Sequence, residues 1–414
     1  MKKIEILSPA GNYESLYAAI KAKADSIYFG VEQLNMRTLN NSFKIKDIEK
    51  ISKICKDNKI KKYLTLNTII YDHDIYLAKK ILNISKKNKI DGVIAMDNFI
   101  INYSKKIKLP VHISTQVNIT NLETIKFYSK YCDVVVLSRE LNLNQIKYIT
   151  NQIKKKKIKG VSKKNIKIEI FCHGSLCMAI SGKCYLSLHS YNSSANRGAC
   201  KQNCRRQYLV KDLNSNINLK IDNKYIMSSK DLCTINFLDK IIKSGVNILK
   251  IEGRSKSPEY VYTTTKCYKK AVELIKKNKF NIYNKKKLLN KLKTVYNRGF
   301  WSGYYLGQKI GEWAKCDGSI STYKKEYLGL VKEQKNKRVK ILIQSYNLEL
   351  KNIILIIGEK IGVKKIQINN LINNKFKKIK KAKKGDICYI YLPFKVYKKN
   401  KIYKLINNDN NSIK

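Results

Sequence analysis

Residues 4–30 read IEILSPAGNYESLYAAIKAKADSIYFG. IEILSP is a short apolar run ending on Ser8 and Pro9, and DSIYFG is a second, rich in β-branched and aromatic residues. Between them Tyr13, Leu16 and Ile20 recur at intervals of three and four, Asn12 stands where a side chain caps free N–H groups, and Asp25 ends the run. The stretch therefore predicts strand, helix, strand. Similar apolar runs at 63–69, 92–97, 111–115, 133–138, 166–171 and 247–253 bring the strands to eight. Most intervening segments carry a helical period, such as IKDIEKISKICKDNKI before the third strand. The expectation is an α/β fold, a (β/α)8 TIM-like barrel, with a long doubly wound sheet as the runner-up.

In such a barrel the chemistry sits on the loops after the strands' C-terminal ends. Those ends are polar here: Ser8 to Gly11, Tyr28 to Gly30, Asn67-Thr68, Asp97, Ser114 to Gln116, Ser138-Arg139-Glu140, His173-Gly174 and Glu252-Gly253-Arg254. The spacing breaks between the seventh and eighth strands. An insertion at 172–233 carries six of the eleven cysteines, in FCHGSLCMAISGKCYLS, SANRGACKQNC and SSKDLC. A helix from Lys230 to Lys243, capped by Ser229, is expected to follow it. A long loop in a compact domain needs something to order it, and a metal cluster projecting from the catalytic face supplies that. From Glu326 the pattern changes to short alternating runs, which predict a small C-terminal β-barrel with a turn at Lys384-Gly385-Asp386. The expected domains are 1–307 and 325–407, with a frayed tail.

No run of eighteen apolar residues and no cleavable leader is read in the chain, so a cytosolic location without a membrane span is expected, and with it reduced thiols. Zinc favours close CxxC pairs, which are absent from the sequence, whereas four thiolates suit a 4Fe-4S cluster. Cys177 and Cys184 lie seven apart, Cys200 follows an Asn-Arg-Gly corner, and Cys233 falls in the first turn of its expected helix, where the dipole favours a thiolate. This reasoning sets aside neither Cys172 nor Cys204. The net charge of +55 suits a polyanion such as RNA. Lys, Asn and Ile are nevertheless abundant throughout, as a base-composition bias produces, so charge alone leaves RNA binding open.

EILSPAGNYESLYAAIKAKADSIYFG, FCHGSLCMAISGKCYLS, NRGACKQNCR and SSKDLCTINFLDKIIKSGVNILKIEGRSKSPEYV closely resemble the U32 family, historically called collagenase-like peptidases. More narrowly they resemble its branch for prephenate-dependent tRNA uridine hydroxylation. The resemblance implies a 4Fe-4S cluster on Cys177, Cys184, Cys200 and Cys233, with Cys204 in reserve and Cys172 incidental. It also implies prephenate as cosubstrate and a tRNA anticodon loop as partner, with 5-hydroxyuridine formed at the wobble position.

A peptidase reading needs a nucleophile, a base and an orienting group. Of His73, His112, His173 and His189, His173 could pair with Ser175 or a cysteine, but no orienting carboxylate is evident, and HExxH is absent. Hydroxylation suits the residues better, because a cofactor carries the redox step and arginines bind the carboxylates of prephenate. Arg139, Arg254 and Arg37 are candidates for that role, with His173, Glu140 and Glu252 as acid–base or pairing groups. An RNA-binding or assembly factor with a purely structural cluster is the non-enzymatic alternative.

Overall fold

The computed structural model describes residues 3–37, 43–209, 225–316 and 318–408. Strands β1 (Glu5–Pro9), β2 (Ser26–Phe29), β3 (Lys61–Leu66), β4 (Gly92–Ala95), β5 (Val111–Ile113), β6 (Val134–Val136) and β7 (Lys167–Gly174) run parallel. A short β8 (Asp231–Cys233) stays outside the ring, and β9 (Ile248–Ile251) pairs in parallel with both β7 and β1 to close it. All eight expected strands are present in a TIM-like barrel.

Helices α1 (Tyr13–Lys21), α2 (Asp47–Asp57), α3 (Ile75–Lys87), α4 (Asn98–Lys106), α5 (Leu122–Ser129) and α6 (Leu143–Lys155) follow the first six strands. Asn12 caps α1 by accepting from the Ser15 N–H at 2.8 Å. α7 (Leu186–Tyr191) belongs to the insertion, while α8 (Leu238–Lys243), α9 (Pro258–Lys276) and α10 (Ile282–Lys293) complete the outer layer. Alternate strand residues divide between two layers. Leu249 and Ile251 of β9 join the core shared with the helices, whereas Ile248 packs in the barrel interior with Leu7, Tyr28, Tyr63, Ile94 and Val134.

One expected element differs. Residues 230–237 are not the start of a helix; Asp231–Cys233 is a strand, and the helix begins only at Leu238. β7 runs to Gly174, past the barrel wall, and its last residues need ladder partners once buried. β8 supplies them, pairing antiparallel as His173↔Cys233 and Gly174↔Leu232. On its other side β8 pairs in parallel with β10 (Phe300–Trp301). Ser229 is not a cap, since its hydroxyl donates to the Leu176 carbonyl at 2.8 Å.

Beyond β10 the chain forms β11 (Tyr323–Lys335), β12 (Arg338–Ile343), β13 (Leu348–Glu349), β14 (Ile353–Gly358), β15 (Gly362–Gln367), β16 (Ile372–Asn373), β17 (Lys381–Ala382), β18 (Ile387–Tyr391) and β19 (Lys401–Asn407). Seven of these make an antiparallel sheet in the order β15-β14-β19-β11-β12-β18-β16, over a core of its own that includes Leu328, Val339, Ile341, Ile356 and Ile390. The Lys383 carbonyl accepts from Asp386 N–H at the expected turn. The sheet docks on the barrel through β15 against α1, where Gly362 lies on the Tyr17–Ala18 backbone. Lys325 also pairs with Glu259, in the first turn of α9, at 2.7 Å. Of the tail expected to fray after Asn407, all but Asn408 lies outside the described residues, as does the middle of the insertion, 210–224.

The loop after β1 reaches the mouth by close approach. A Cβ on Gly11 would stand 2.0 Å from the Arg254 carbonyl oxygen, so no side chain fits without moving the backbone that carries Arg254. Gly11→Ala is expected to lower stability by about 1–3 kcal/mol, read from the urea midpoint. Gly311→Ala, whose nearest neighbours lie 3.7 Å away, should leave that midpoint unchanged.

Candidate functional site

Lys250 and Glu252 follow Ile248 at intervals of two, so β9 aims both into the barrel. Lys250 Nζ lies 3.0 Å from Glu169 Oε1, and Glu169 Oε2 lies 3.1 Å from His112 Nδ1. Both partners come from inward positions, on β7 and β5. Burial would raise the Glu169 carboxyl, but Lys250 and His112 outweigh it and hold the group down to about 2. The Lys250 ammonium also sits 4.8 Å from the ring of Tyr28 and 5.2 Å from that of Phe171.

One layer higher, Glu252 is the centre of a ring of cations. Arg37 Nη2 pairs with its Oε1 at 3.1 Å, and Tyr28 Oη, which donates to the Ile251 carbonyl at 2.8 Å, also lies 3.3 Å from its Oε2. Burial works against ionisation, yet Arg37, Arg139, Arg254 and Lys250 together hold the carboxyl below its ordinary value. Arg254 is fixed by bonds from Nη1 to Asn35 Oδ1 (2.9 Å) and Thr65 Oγ1 (2.7 Å), and burial pulls its guanidinium down to about 10. Arg139 lies flat on Phe171 at 3.9 Å and donates from Nη1 to the Ser175 carbonyl, while its buried Nε has no hydrogen-bond partner. Asn67 and Gln116 bond to each other across the opposite rim at 2.8 Å. These groups line a cleft of about 80 Å³ together with Ser114, Thr115, Cys177, Ser181 and Gly182.

The insertion lies over this mouth. Asn118, after β5, donates to the Ser181 carbonyl at 3.1 Å. Arg197 reaches the loop after β3, bonding the Ile69 carbonyl at 2.8 Å and pairing with Asp74. Arg205 donates to the carbonyls of Leu176 and Ser229 and so ties the two ends of the insertion together.

Four cysteines share this loop. Burial pushes the Cys204 thiol up, Arg205 pulls it down, and Cys177, Cys200 and Cys184 lie near enough to raise it further. Arg37 in turn feels Cys177 and Cys200. Cys233 stands apart from them. Burial pushes its thiol up to about 12, its electrostatic neighbours include Cys172, Cys267 and Tyr268, and it faces a separate hollow of about 600 Å³ beside Phe300 and Trp301. The structure thus places Cys204 beside Cys177, Cys184 and Cys200, and sets Cys233 on a strand behind β7 rather than on a helix facing the insertion. Cys172 is buried in the wall, donating to the Lys250 carbonyl at 3.4 Å. The four loop thiols are neighbours without being drawn in to ligand spacing, since among the described residues no three His, Cys, Asp or Glu side chains form a metal-holding group.

Two other candidates also change place. His173 is 1% exposed and packed among Tyr260, Tyr268 and Phe300. Burial lowers its imidazole to about 3, and its Nδ1 meets Tyr268 Oη at 3.4 Å in the barrel wall, away from the cleft lining. Glu140 is exposed and bonded to Ser138, so it is not part of the mouth. Arg37, Arg139, Glu252 and Arg254 do converge. The sequence reading missed Lys250, Glu169 and His112. The signal was available as single polar residues in IKIEIF, VHIST and NILKIEG, on the inward parity of otherwise apolar strands.

The family model for peptidase family U32 matches residues 11–315. The chain belongs to that family. Among U32 relatives, it is 47% identical over 403 residues to a protein named collagenase from Porphyromonas gingivalis, covering 97% of each chain. It is 31% identical over 343 residues to tRNA hydroxylation protein P1 of Bacillus subtilis, covering 80% of this chain and 77% of that one. A third U32 relative, the 23S rRNA 5-hydroxycytidine C2501 synthase of Escherichia coli, is 34% identical over 277 residues, which are 66% of this chain and 40% of that one. Among the described residues no helix is long and apolar enough to cross a membrane.

The Lys250–Glu169 pair generates two predictions. Glu169→Gln leaves a buried ammonium without its counterion and should lower stability by roughly 3–5 kcal/mol at neutral pH, with Lys250→Met in the same chain recovering much of the loss. The folded carboxyl at about 2 lies below its ordinary 4.5, so its stabilisation is complete above 4.5 and lost as pH falls through 2. Urea midpoints across that window should fall in the wild type. The variant should lack this component of the fall.

Proposed function

We propose that the chain is an RNA-modifying enzyme that hydroxylates the wobble uridine of tRNA to 5-hydroxyuridine, with prephenate as cosubstrate and a 4Fe-4S cluster on Cys177, Cys184, Cys200 and Cys204. The observation that carries this reading is a cation-rich cleft directly under a four-thiol loop. Among the described residues, the carboxylates paired with Arg37, Arg139, Lys250 and Arg254 are Glu252 and Glu169. The two positive charges left over suit a dicarboxylate, and the unpartnered Arg139 Nε offers a donor for one of its oxygens. The relatives named for tRNA and rRNA modification support an RNA substrate.

The donor set fits a cluster in kind: four thiols on one loop, with Arg37 and Arg205 beside them to offset anionic charge. A cluster bound there supplies electron transfer that side chains lack. The chain's own residues do the rest. The arginines orient a carboxylate ligand, and Tyr28 and Phe171 offer ring faces to an unstacked base. Glu252, held ionised with Tyr28 Oη on Oε2, is the base available to take a proton from the substrate.

The collagenase name of one relative raises proteolysis as a second reading. The side-chain partner of His112 is Glu169 and that of His173 is Tyr268, so neither buried histidine activates a serine or cysteine nucleophile.

Expression in a bacterial strain lacking its own 5-hydroxyuridine activity, followed by mass spectrometry of tRNA nucleosides, tests the reading. The hydroxylated nucleoside should appear with the wild type and be lost with Glu252→Gln. Its absence, together with gelatin cleavage by the purified chain, would overturn the proposal. Iron and sulfide assays on anaerobically purified protein should show Cys204→Ser depleted and Cys233→Ser loaded like the wild type. The opposite pattern would restore Cys233 as a ligand.

A further inference from the structure

We infer that the C-terminal sheet carries a stacking platform for unpaired RNA bases, separate from the barrel mouth. This rests on the reading of the chain as an RNA-modifying enzyme and adds a second contact to it. In β12, Val339 and Ile341 are buried, which turns Arg338 and Lys340 outward; in β18, Cys388 and Ile390 are buried, which turns Tyr389 and Tyr391 outward. The register sets Arg338 opposite Tyr391 and Lys340 opposite Tyr389, so cations and rings alternate on one face. Phe376 lies alongside, its ring 5.2 Å from that of Tyr389 at an interplanar angle of 22°, with the Arg338 guanidinium 5.1 Å from one ring and 5.5 Å from the other.

Phe376 is 59% exposed and Tyr391 47%. An aromatic side chain spread on the surface gives up burial, and Phe376 also holds φ at +59°, a region that bulky residues rarely adopt. The turn enforces this conformation. Asn373 Oδ1 accepts from the N–H groups of Lys375 (3.0 Å) and Lys377 (2.9 Å), and the Asn373 carbonyl accepts from Phe376 N–H at 3.1 Å. The ring is thus presented in a fixed place.

Charge selects the occupant. Residues 323–408 hold 23 Lys and Arg against 5 Asp and Glu, nearly five to one, whereas the whole chain holds 85 against 30, under three to one. A general bias toward lysine codons accounts for neither this local excess nor an arginine set against two rings. Flat faces for stacking inside a cationic field are what single-stranded nucleic acid recognises, because every base has a π-face and every linkage a negative charge.

The test is fluorescence anisotropy of the full chain with a labelled RNA stem-loop, compared with the same RNA annealed to its complement. The stem-loop should bind more tightly than the duplex. Phe376→Ala and Tyr391→Ala should each weaken stem-loop binding by roughly five-fold or more without changing the salt slope, whereas Lys340→Gln should reduce that slope. Circular dichroism confirms that the variants fold. Tyr283→Ala, an exposed ring on α10 away from both the platform and the cleft, should bind RNA normally. Wild-type binding that survives both ring substitutions overturns the platform and leaves the proposed modification standing. Failure of the wild type to bind RNA overturns both, and a ring variant that changes only oligomeric state on gel filtration assigns the face to a second copy of the chain.

Discussion

The structure depends on two carboxylates held ionised inside the barrel. Glu169 is buried and Glu252 partly so, and each is kept charged by neighbouring cations: the buried Lys250 for the first, the half-buried Arg37 and Arg139 with the buried Arg254 for the second. Charges in a low-dielectric interior persist only when paired and hydrogen-bonded, so the arrangement holds as a set. It also links distant parts of the chain. The Arg37–Glu252 pair joins the loop after β2 to the end of β9, and Lys250–Glu169 joins β9 to β7.

Much of the barrel was legible because parallel strands buried on both faces read as unbroken apolar runs, and the helices between them announce themselves by period and cap. The mouth was legible for a related reason, since polar residues at the ends of apolar strands have few places to go but the open rim. The strand at Asp231–Cys233 was misread as a helix start by one local error. SSKDLC has a serine in the capping position and looks like a helix start, but the extension of β7 past the wall demands a pairing partner there. Non-local ladder formation overrode a local capping signal. Arg139 and Glu140, adjacent in sequence, part in the structure: the backbone turns Glu140 to solvent and Arg139 onto Phe171.

The described part of the insertion is tied to its neighbours by two arginines. Arg197 and Arg205 span from the cysteine segment to carbonyls on neighbouring loops, satisfying backbone acceptors that the irregular path leaves open. Cys177 is thereby carried to the rim of the charged cleft, while Cys184, Cys200 and Cys204 remain around it. Anything gathering those sulfurs would press on the same rim that Glu252 and Arg37 define.

β9 does two jobs with four residues plus Glu252. Its odd-numbered members seal the wall against the helices, while Lys250, even-numbered like Glu252, faces inward. A slip of one residue during folding would exchange these sets, thrusting an ammonium and a carboxylate into the oily layer under α9 and turning leucine and isoleucine toward Glu169. Misregistered closure is therefore penalised by electrostatics as well as by shape, and the last strand to enter the ring proofreads its own alignment.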